Sequence, residues 1–309
     1  MTSTAGVPPV STHDTTSVKP RGRRLTGYWL ILPGALWLLV FFVIPFYSLI
    51  ASSLFDPAGS VLTGYEMTWH FGNYVDAFNQ YKGQLWRSIW YAGVATLVCL
   101  VVGYVLAYAI AFKAGRWKNL MLVLVIAPFF TSFLLRTLSW QLILADDGWV
   151  VSFMNTTHLT DVLQLIGLVD GDRLLATPFA VIAGLTYNFL PFMVLPLYAS
   201  LEKVDPRLIE AAGDLYASPI RGFFKVTFPL SMPGVVAGTL LTFIPAAGDY
   251  VNAQLLGNTN TRMIGNSIQS LFTSQGDYAT AGALSVILMV IIVAAVAFYV
   301  RTAGTEELV

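Results

Sequence analysis

Two ionisable side chains stand inside long apolar runs: Arg136, in Thr-Ser-Phe-Leu-Leu-Arg-Thr-Leu-Ser-Trp, and Asp249, in Ile-Pro-Ala-Ala-Gly-Asp-Tyr-Val. Either charge costs about 2.5 to 3.5 kcal/mol at the centre of a membrane helix, so each is expected to face a cavity, a partner chain or the other. Arg136 lies 16 residues beyond Leu120, and Asp249 lies 18 beyond Ser231, roughly 24 and 27 Å at helical rise. The two can share one depth. They can serve as a structural salt bridge, as residues snorkelling from helix ends, or as part of a path across the membrane. Trp140 and Tyr250, close to them in sequence, are candidates for the same path.

Other chemistry is missing. The sequence holds no G-x-x-x-x-G-K-[ST], the loop and lysine that cradle nucleotide phosphates, and no H-E-x-x-H, C-x-x-C or G-x-S-x-G. His13, His70 and His158 have no ligand spacing between them. No catalytic residue, metal ligand or cofactor is expected, nothing here hydrolyses ATP by the usual loop and lysine, and energy must come from another chain. The single cysteine, Cys99, lies in an apolar run, which excludes an internal disulfide and suits packing.

The elements that must position Arg136 and Asp249 follow from composition. Hydrophobic residues make up 56% of the chain and charged residues 11%, the latter about half of the usual quarter. This is an all-α integral membrane protein. Six apolar runs, Tyr28–Leu54, Ser88–Phe112, Leu120–Leu144, Thr177–Leu201, Pro229–Val251 and Ala279–Val300, each approach the ~20 residues that a bilayer core requires. The first is longer than a signal-peptide core and lacks an A-x-A-like site, so it is expected to be an uncleaved span. Prolines at 33, 45, 128, 191, 196, 233 and 245 interrupt the runs, which membrane helices tolerate where neighbours or water satisfy the freed carbonyls.

One six-span domain over 28–301 is expected, between a disordered basic tail at 1–27 and a short tail at 302–309. Lys19, Arg21, Arg23, Arg24, Lys113, Arg116, Lys118, Lys203, Arg207, Arg221, Lys225 and Arg301 fall on one side, against Lys82, Arg87, Arg173 and Arg262 on the other. The positive-inside rule then puts both termini in the cytoplasm. The segments Phe55–Arg87 and Ala145–Ala176 lie outside, where they can pack over the mouth and meet something extracytoplasmic. Tyr28, Trp29, Trp37, Trp86, Trp90, Trp140 and Trp149 mostly stand near span ends, as interfacial anchors do.

One charged stretch separates apolar runs, Glu202 to Val235. Asp205 followed by Pro206 is an N-cap with proline at the first helical position, and Val204 and Ile209 have the spacing of a hydrophobic staple. Leu208, Ile209, Ala212, Leu215 and Tyr216 then share a face, opposite Arg207, Glu210 and Asp214. Ser218-Pro219 repeats the start signal, so a second short helix through Phe228 should follow a bend at Ala217. The pair forms a helical elbow at 202–228.

Glu210-Ala211-Ala212, with Gly213, Asp214 and Leu215, and Val226-x-Phe-Pro229-Leu230-Ser-x-Pro233-Gly234 resemble the EAA loop of type I ABC importer permeases. One position departs: the glycine usual soon after the acidic-leucine pair is here Ala217. Phe243-Ile-Pro245-Ala-Ala-Gly248-Asp249-Tyr250-Val251, Leu255-Leu256-Gly257 and Met263-Ile264-Gly265-Asn266-Ser-Ile268 are similar to the spermidine/putrescine permease subfamily, and Asn73-Tyr74, Arg136 and Gly282-Ala283-x-Ser285 agree with it.

The resemblance implies the type I ABC importer permease fold in the bacterial plasma membrane. It also implies a second, related permease, two ATPase subunits that hold the ATP, and an extracytoplasmic solute-binding protein. Glu210, Ala211, Ala212, Gly213, Asp214, Leu215 and Pro229 would then couple the chain to the ATPases, and the solute would be a polyamine or another small solute. Lipid is the remaining partner, and nucleic acid is not one. A secondary transporter or channel, the competing class, usually carries several intramembrane carboxylates or a repeated half, whereas Asp249 stands alone.

Overall fold

The computed structural model describes residues 23–60, 62–165, 167–169, 171 and 173–303, so most of both expected tails lies outside the described residues. The chain divides into two compact units, Met1–Ser48 and Leu49–Val309, each described by itself. In the first, helix runs from Arg23 into the apolar α1 (Trp29–Ser52), whose last turn belongs to the second unit. A π-helical stretch, Leu39–Val43, leads up to Pro45. Proline removes a donor, and a local π adjustment re-routes the neighbouring backbone bonds.

The second unit is helical, with two isolated β-bridges, Phe55 to Met67 and Ser60 to Gly64, among the described residues. Its helices are α2 (Gly72–Lys113), α3 (Lys118–Ile126), α4 (Phe133–Ile143), α5 (Trp149–Thr156), α6 (Leu159–Leu165), α7 (Pro178–Leu201), α8 (Pro206–Asp214), α9 (Pro219–Leu230), α10 (Met232–Ala247), α11 (Val251–Leu256), α12 (Ile264–Ser270) and α13 (Tyr278–Ala303). Among the described residues four helices can cross a membrane alone, and six crossings result when two bent pairs each count as one.

Three expected spans change shape. The run from Ser88 begins instead at Gly72, as part of a 42-residue helix roughly 63 Å long, about twice the bilayer core. Asp76, Lys82 and Arg87 end the hydropathy signal without ending the helix, because charged residues are no worse helix formers than aromatic ones. The run Leu120–Leu144 is broken by 96° between Phe130 and Phe133, after Pro128 within a 3-10 turn. The run Pro229–Val251 bends by 66° at Ser231 and loses its helix at Gly248.

α2 packs along α7 and α10, α10 along α7, and α13 against α2. Cys99, Ile110, Met193 and Leu197 are fully buried between them, and the Cys99 thiol points to the carbonyl of Thr186 at 3.3 Å. α10 approaches α7 closely at Gly234, where a Cβ would sit 2.6 Å from the Ser200 Cβ and 2.7 Å from the Pro196 carbonyl. Small residues allow such contact where no hydrophobic effect drives helices together. The segment 145–176 packs on α11, with Leu144, Val151 and Leu174 clustered against Leu256.

Candidate functional site

Asp249 sits in the gap between α10 and α11. Pro245 lacks a backbone donor, and Gly248, with its exposed position, ends the helix. The carboxylate is buried and accepts from the Asn252 backbone N–H at 2.8 Å and from Asn252 Nδ2 at 3.1 Å. Asn252 Oδ1 in turn accepts from Asn188 Nδ2 on α7 at 3.0 Å. The same Asn188 amide reaches Thr137 Oγ1 on α4 at 3.1 Å, and Thr137 donates to the carbonyl of Phe133 at 3.1 Å.

Four buried polar side chains therefore tie α4, α7 and α11 to the helix break. The opposite wall of the break is held too, since Asn266 Nδ2 donates to the Tyr250 carbonyl at 2.7 Å and Gly265 leaves no room for a Cβ beside the carbonyls of Gly248 and Asp249. Beside Asn266 opens a polar recess of about 410 Å3 lined by Gln254, Asn258, Thr259, Gln269 and Ser270. Such a break gathers backbone carbonyls and one buried carboxylate between two helices, groups suited to a cationic or hydrogen-bonding solute.

Arg136 occupies the turn of helix that carries Thr137, and its side chain is buried. Its guanidinium carbon lies 5.6 Å from the ring centres of both Phe129 and Phe133. An Arg136–Asp249 salt bridge is not formed: the described ion pairs are Lys118–Glu202, His158–Asp161 and Arg173–Asp146. The Asn252 amide donors take the carboxylate instead. Of the remaining expected path residues, Trp140 packs on Tyr187 with ring centres 5.6 Å apart, and Tyr250 is 42% exposed beside Asp249.

Asn188, Asn252 and Thr137 were not singled out by sequence. The available signal was an amide or hydroxyl inside an apolar run, but such residues are common there and their partners lie far away in the chain.

The elbow stands apart from this network. Asp205 Oδ1 accepts from the Arg207 N–H at 2.9 Å and Ser218 Oγ from the Arg221 N–H at 3.4 Å, so both expected caps are formed. α8 ends with Ala217 N–H on the Ala212 carbonyl at 3.0 Å and Tyr216 N–H on the Gly213 carbonyl at 2.9 Å, the two bonds of a Schellman motif. The left-handed residue is Tyr216, at φ +58°, and not Ala217. The second limb runs through a π-helical stretch, Phe223–Thr227, and continues past Phe228 to Leu230.

Of the expected apolar face, Ile209 and Ala212 are half-buried, whereas Leu208, Leu215 and Tyr216 are exposed along with Glu210, Gly213 and Asp214. Ala211 and Pro229 are exposed as well. Two links brace its approaches. Lys118 donates to Glu202 at 2.7 Å and holds that carboxyl below its ordinary range. Tyr104 and Ser231 share a hydrogen bond of 2.7 Å at the bend before α10.

The family model for the inner membrane component of binding-protein-dependent transport systems matches residues 99–303. The chain is similar to the spermidine/putrescine transport system permease protein PotB of Haemophilus influenzae, 37% identical over 86% of this chain and 90% of that protein. It is also similar to PotB of Escherichia coli K12, 36% identical over 82% and 90%. Its fold matches a chain in the crystal structure of a bacterial ABC transporter involved in the import of the acidic polysaccharide alginate, with a TM-score of 0.66 over 91% of this chain and 96% of that one at 18% identity. A buried polar network at a helix break, an exposed capped elbow and these matches converge on one conclusion: the chain belongs to the family of inner membrane components of binding-protein-dependent transport systems.

Proposed function

We propose that this chain is a permease subunit of an ABC importer for polyamines of the spermidine/putrescine class, working by alternating access. The observation that carries the importer reading is the elbow. It exposes Leu208, Leu215 and Tyr216 beside Glu210 and Gly213, an apolar and acidic surface on a doubly capped scaffold that the other described residues leave uncovered. Two ATPase subunits bind ATP, one docking on this elbow and the other on a second, related permease. Closure of the ATPases moves α8 and α9, and the bend at Ser231 passes the motion to α10 and the break it ends in. An extracytoplasmic protein delivers the solute, and both termini lie in the cytoplasm.

The polyamine reading draws on similarity over most of the chain to PotB proteins and on the chemistry of the break. A flexible polycation loses hydration in a narrow path, and carboxylates, carbonyl oxygens and aromatic faces replace it. Asp249, the open backbone at Gly248 and Tyr250 supply these groups. The test is uptake of radiolabelled spermidine and putrescine by cells expressing the whole complex, with copurification of the subunits from the same membranes. Assembly without polyamine uptake would remove the solute assignment and leave the importer; absence of ATPase subunits would remove both.

A further inference from the structure

The first turns of α2, residues 72–87, carry Asp76, Lys82 and Arg87 and were expected from sequence to lie outside the membrane. Contacts fix their level in the fold. Asn73 Nδ2 donates to the carbonyls of Ser53 at 3.0 Å and Phe55 at 2.8 Å, and the Tyr74 hydroxyl shares a hydrogen bond of 2.6 Å with Ser53 Oγ. Ser53 lies against Gly282, where a Cβ would sit 2.8 Å from the Ser53 nitrogen. Gly282 is in the second turn of α13, a helix long and apolar enough to cross the membrane alone. α2 therefore starts level with the end of a crossing rather than beyond it.

Toward its other end, Ile110 belongs to the buried cluster that holds Leu201, the last residue of the α7 crossing. From Asn73 to Ile110 the helix rises roughly 56 Å, whereas a bilayer with both headgroup layers is about 40–45 Å thick. α2 crosses obliquely, and its first turns stay near the membrane boundary.

The side of those turns that the fold leaves open is apolar. Ala77 and Leu85 face the cluster formed with α12 and α13, and Ser88 Oγ accepts from the Ile264 N–H at 2.7 Å. Round the helix from them, Val75, Phe78, Trp86 and Trp90 are 61, 48, 71 and 56% exposed. At about 100° per residue these side chains form one stripe with Asn79 and Lys82, and the stripe runs on into Leu97 and Val101, exposed within the crossing itself. Asp76 and Arg87 stand about a third of a turn away, and Arg87 is engaged with the Arg262 carbonyl. Lys82 is exposed and pairs with no described residue.

We propose that residues 72–87 lie in the headgroup layer of the bilayer and that Lys82, with Phe78 and Trp86 one turn to either side, binds the phosphate of an anionic phospholipid. Tryptophan rings settle at headgroup depth, and a lysine among them extends its ammonium to the polar layer with three donors. Asn79 on the same stripe suits that depth, where water still reaches, and not the acyl core. α2 packs along α7 and α10, so the lipid contact anchors the helix on which both of them lean. The inference needs only the membrane crossings and stands apart from the importer reading.

The experiment uses the full-length chain with the subunits that accompany it, in a Cys99→Ser background, in nanodiscs of equal phosphatidylglycerol and phosphatidylcholine. A nitroxide on Phe78→Cys or Trp86→Cys should be relaxed more strongly by a nickel chelate carried on lipid headgroups than by the same chelate free in water. A photo-crosslinking residue at Phe78 should capture phosphatidylglycerol in preference to phosphatidylcholine. Lys82→Gln should reduce that preference about fivefold, the effect of one lysine at a charged surface, and Lys82→Arg should keep it.

Stronger relaxation by the free chelate at both positions overturns the inference, because the turns would then stand in water. A crosslink from Phe78 to protein alone, whether a second copy, an accompanying subunit or a soluble partner, overturns it as well. Equal capture of the two lipids, or a preference that survives Lys82→Gln, overturns the phosphate site.

Discussion

Asn188 on α7 and Asn252 on α11 meet at 3.0 Å, amide to carbonyl, in a position where both side chains are almost wholly buried. Asn252 thereby faces two ways, toward α7 through its oxygen and toward Asp249 through its nitrogen atoms. Replacing Asn252 by Leu keeps its backbone N–H on the carboxylate but removes the Nδ2 donor to Asp249 and the oxygen that accepts from the Asn188 amide, which should cost about 1–3 kcal/mol. Thermal denaturation in detergent reads the loss. Unchanged stability would mean that water or another residue takes over both bonds.

Asp249→Asn keeps an oxygen that can accept from Asn252, so the variant should fold and assemble while uptake falls. Asp249→Ala should lose stability as well, again by about 1–3 kcal/mol. Because Arg136 and Asp249 do not pair, the exchange Arg136→Asp with Asp249→Arg should restore no uptake. Recovery by the exchange would point to a pair formed in another state of the transport cycle.

At the elbow, a Cβ on Gly213 would meet nothing within 4 Å. Gly213→Trp should therefore leave the lone chain folded and disrupt only what docks there. Glu210→Lys, on the same exposed helix, should reverse the charge at the contact and lower ATPase copurification with the chain still inserted in the membrane. Full ATPase association in both variants would place the coupling surface elsewhere.

Tyr216 adopts a left-handed backbone with its side chain 96% exposed. An L residue pays for that conformation, so Tyr216→Gly should stabilise the elbow by about 1 kcal/mol, whereas Ala217→Gly should not. Hydrogen exchange across 206–222 measures the difference, and slower exchange at α8 in Tyr216→Gly alone is the expected outcome.

The topology is testable with single cysteines in a Cys99→Ser background. Asn79 and Thr157, both exposed, should react with an impermeant reagent added to intact cells, and Ser11 and Thr305 should not. Reaction at either terminus would invert the sidedness on which the proposed cytoplasmic position of the elbow depends.

The sequence by itself determined what depends on near neighbours. About twenty apolar residues in a row mark a membrane segment, though not whether its helix is straight, Asp205-Pro206 and Ser218-Pro219 start helices through bonds to residues two or three places on, and the elbow motif needs no partner to be seen. Tertiary structure decided what depends on distance. Asp249 could have met Arg136, but Asn252 lies three residues away and wins through two donors. The link from Asn252 to Asn188 and Thr137 joins positions 64 to 115 apart, which no local periodicity encodes. The length of α2 and the angles after Pro128 and at Ser231 were settled the same way: many backbone paths suit the local residues, and packing between helices selects one.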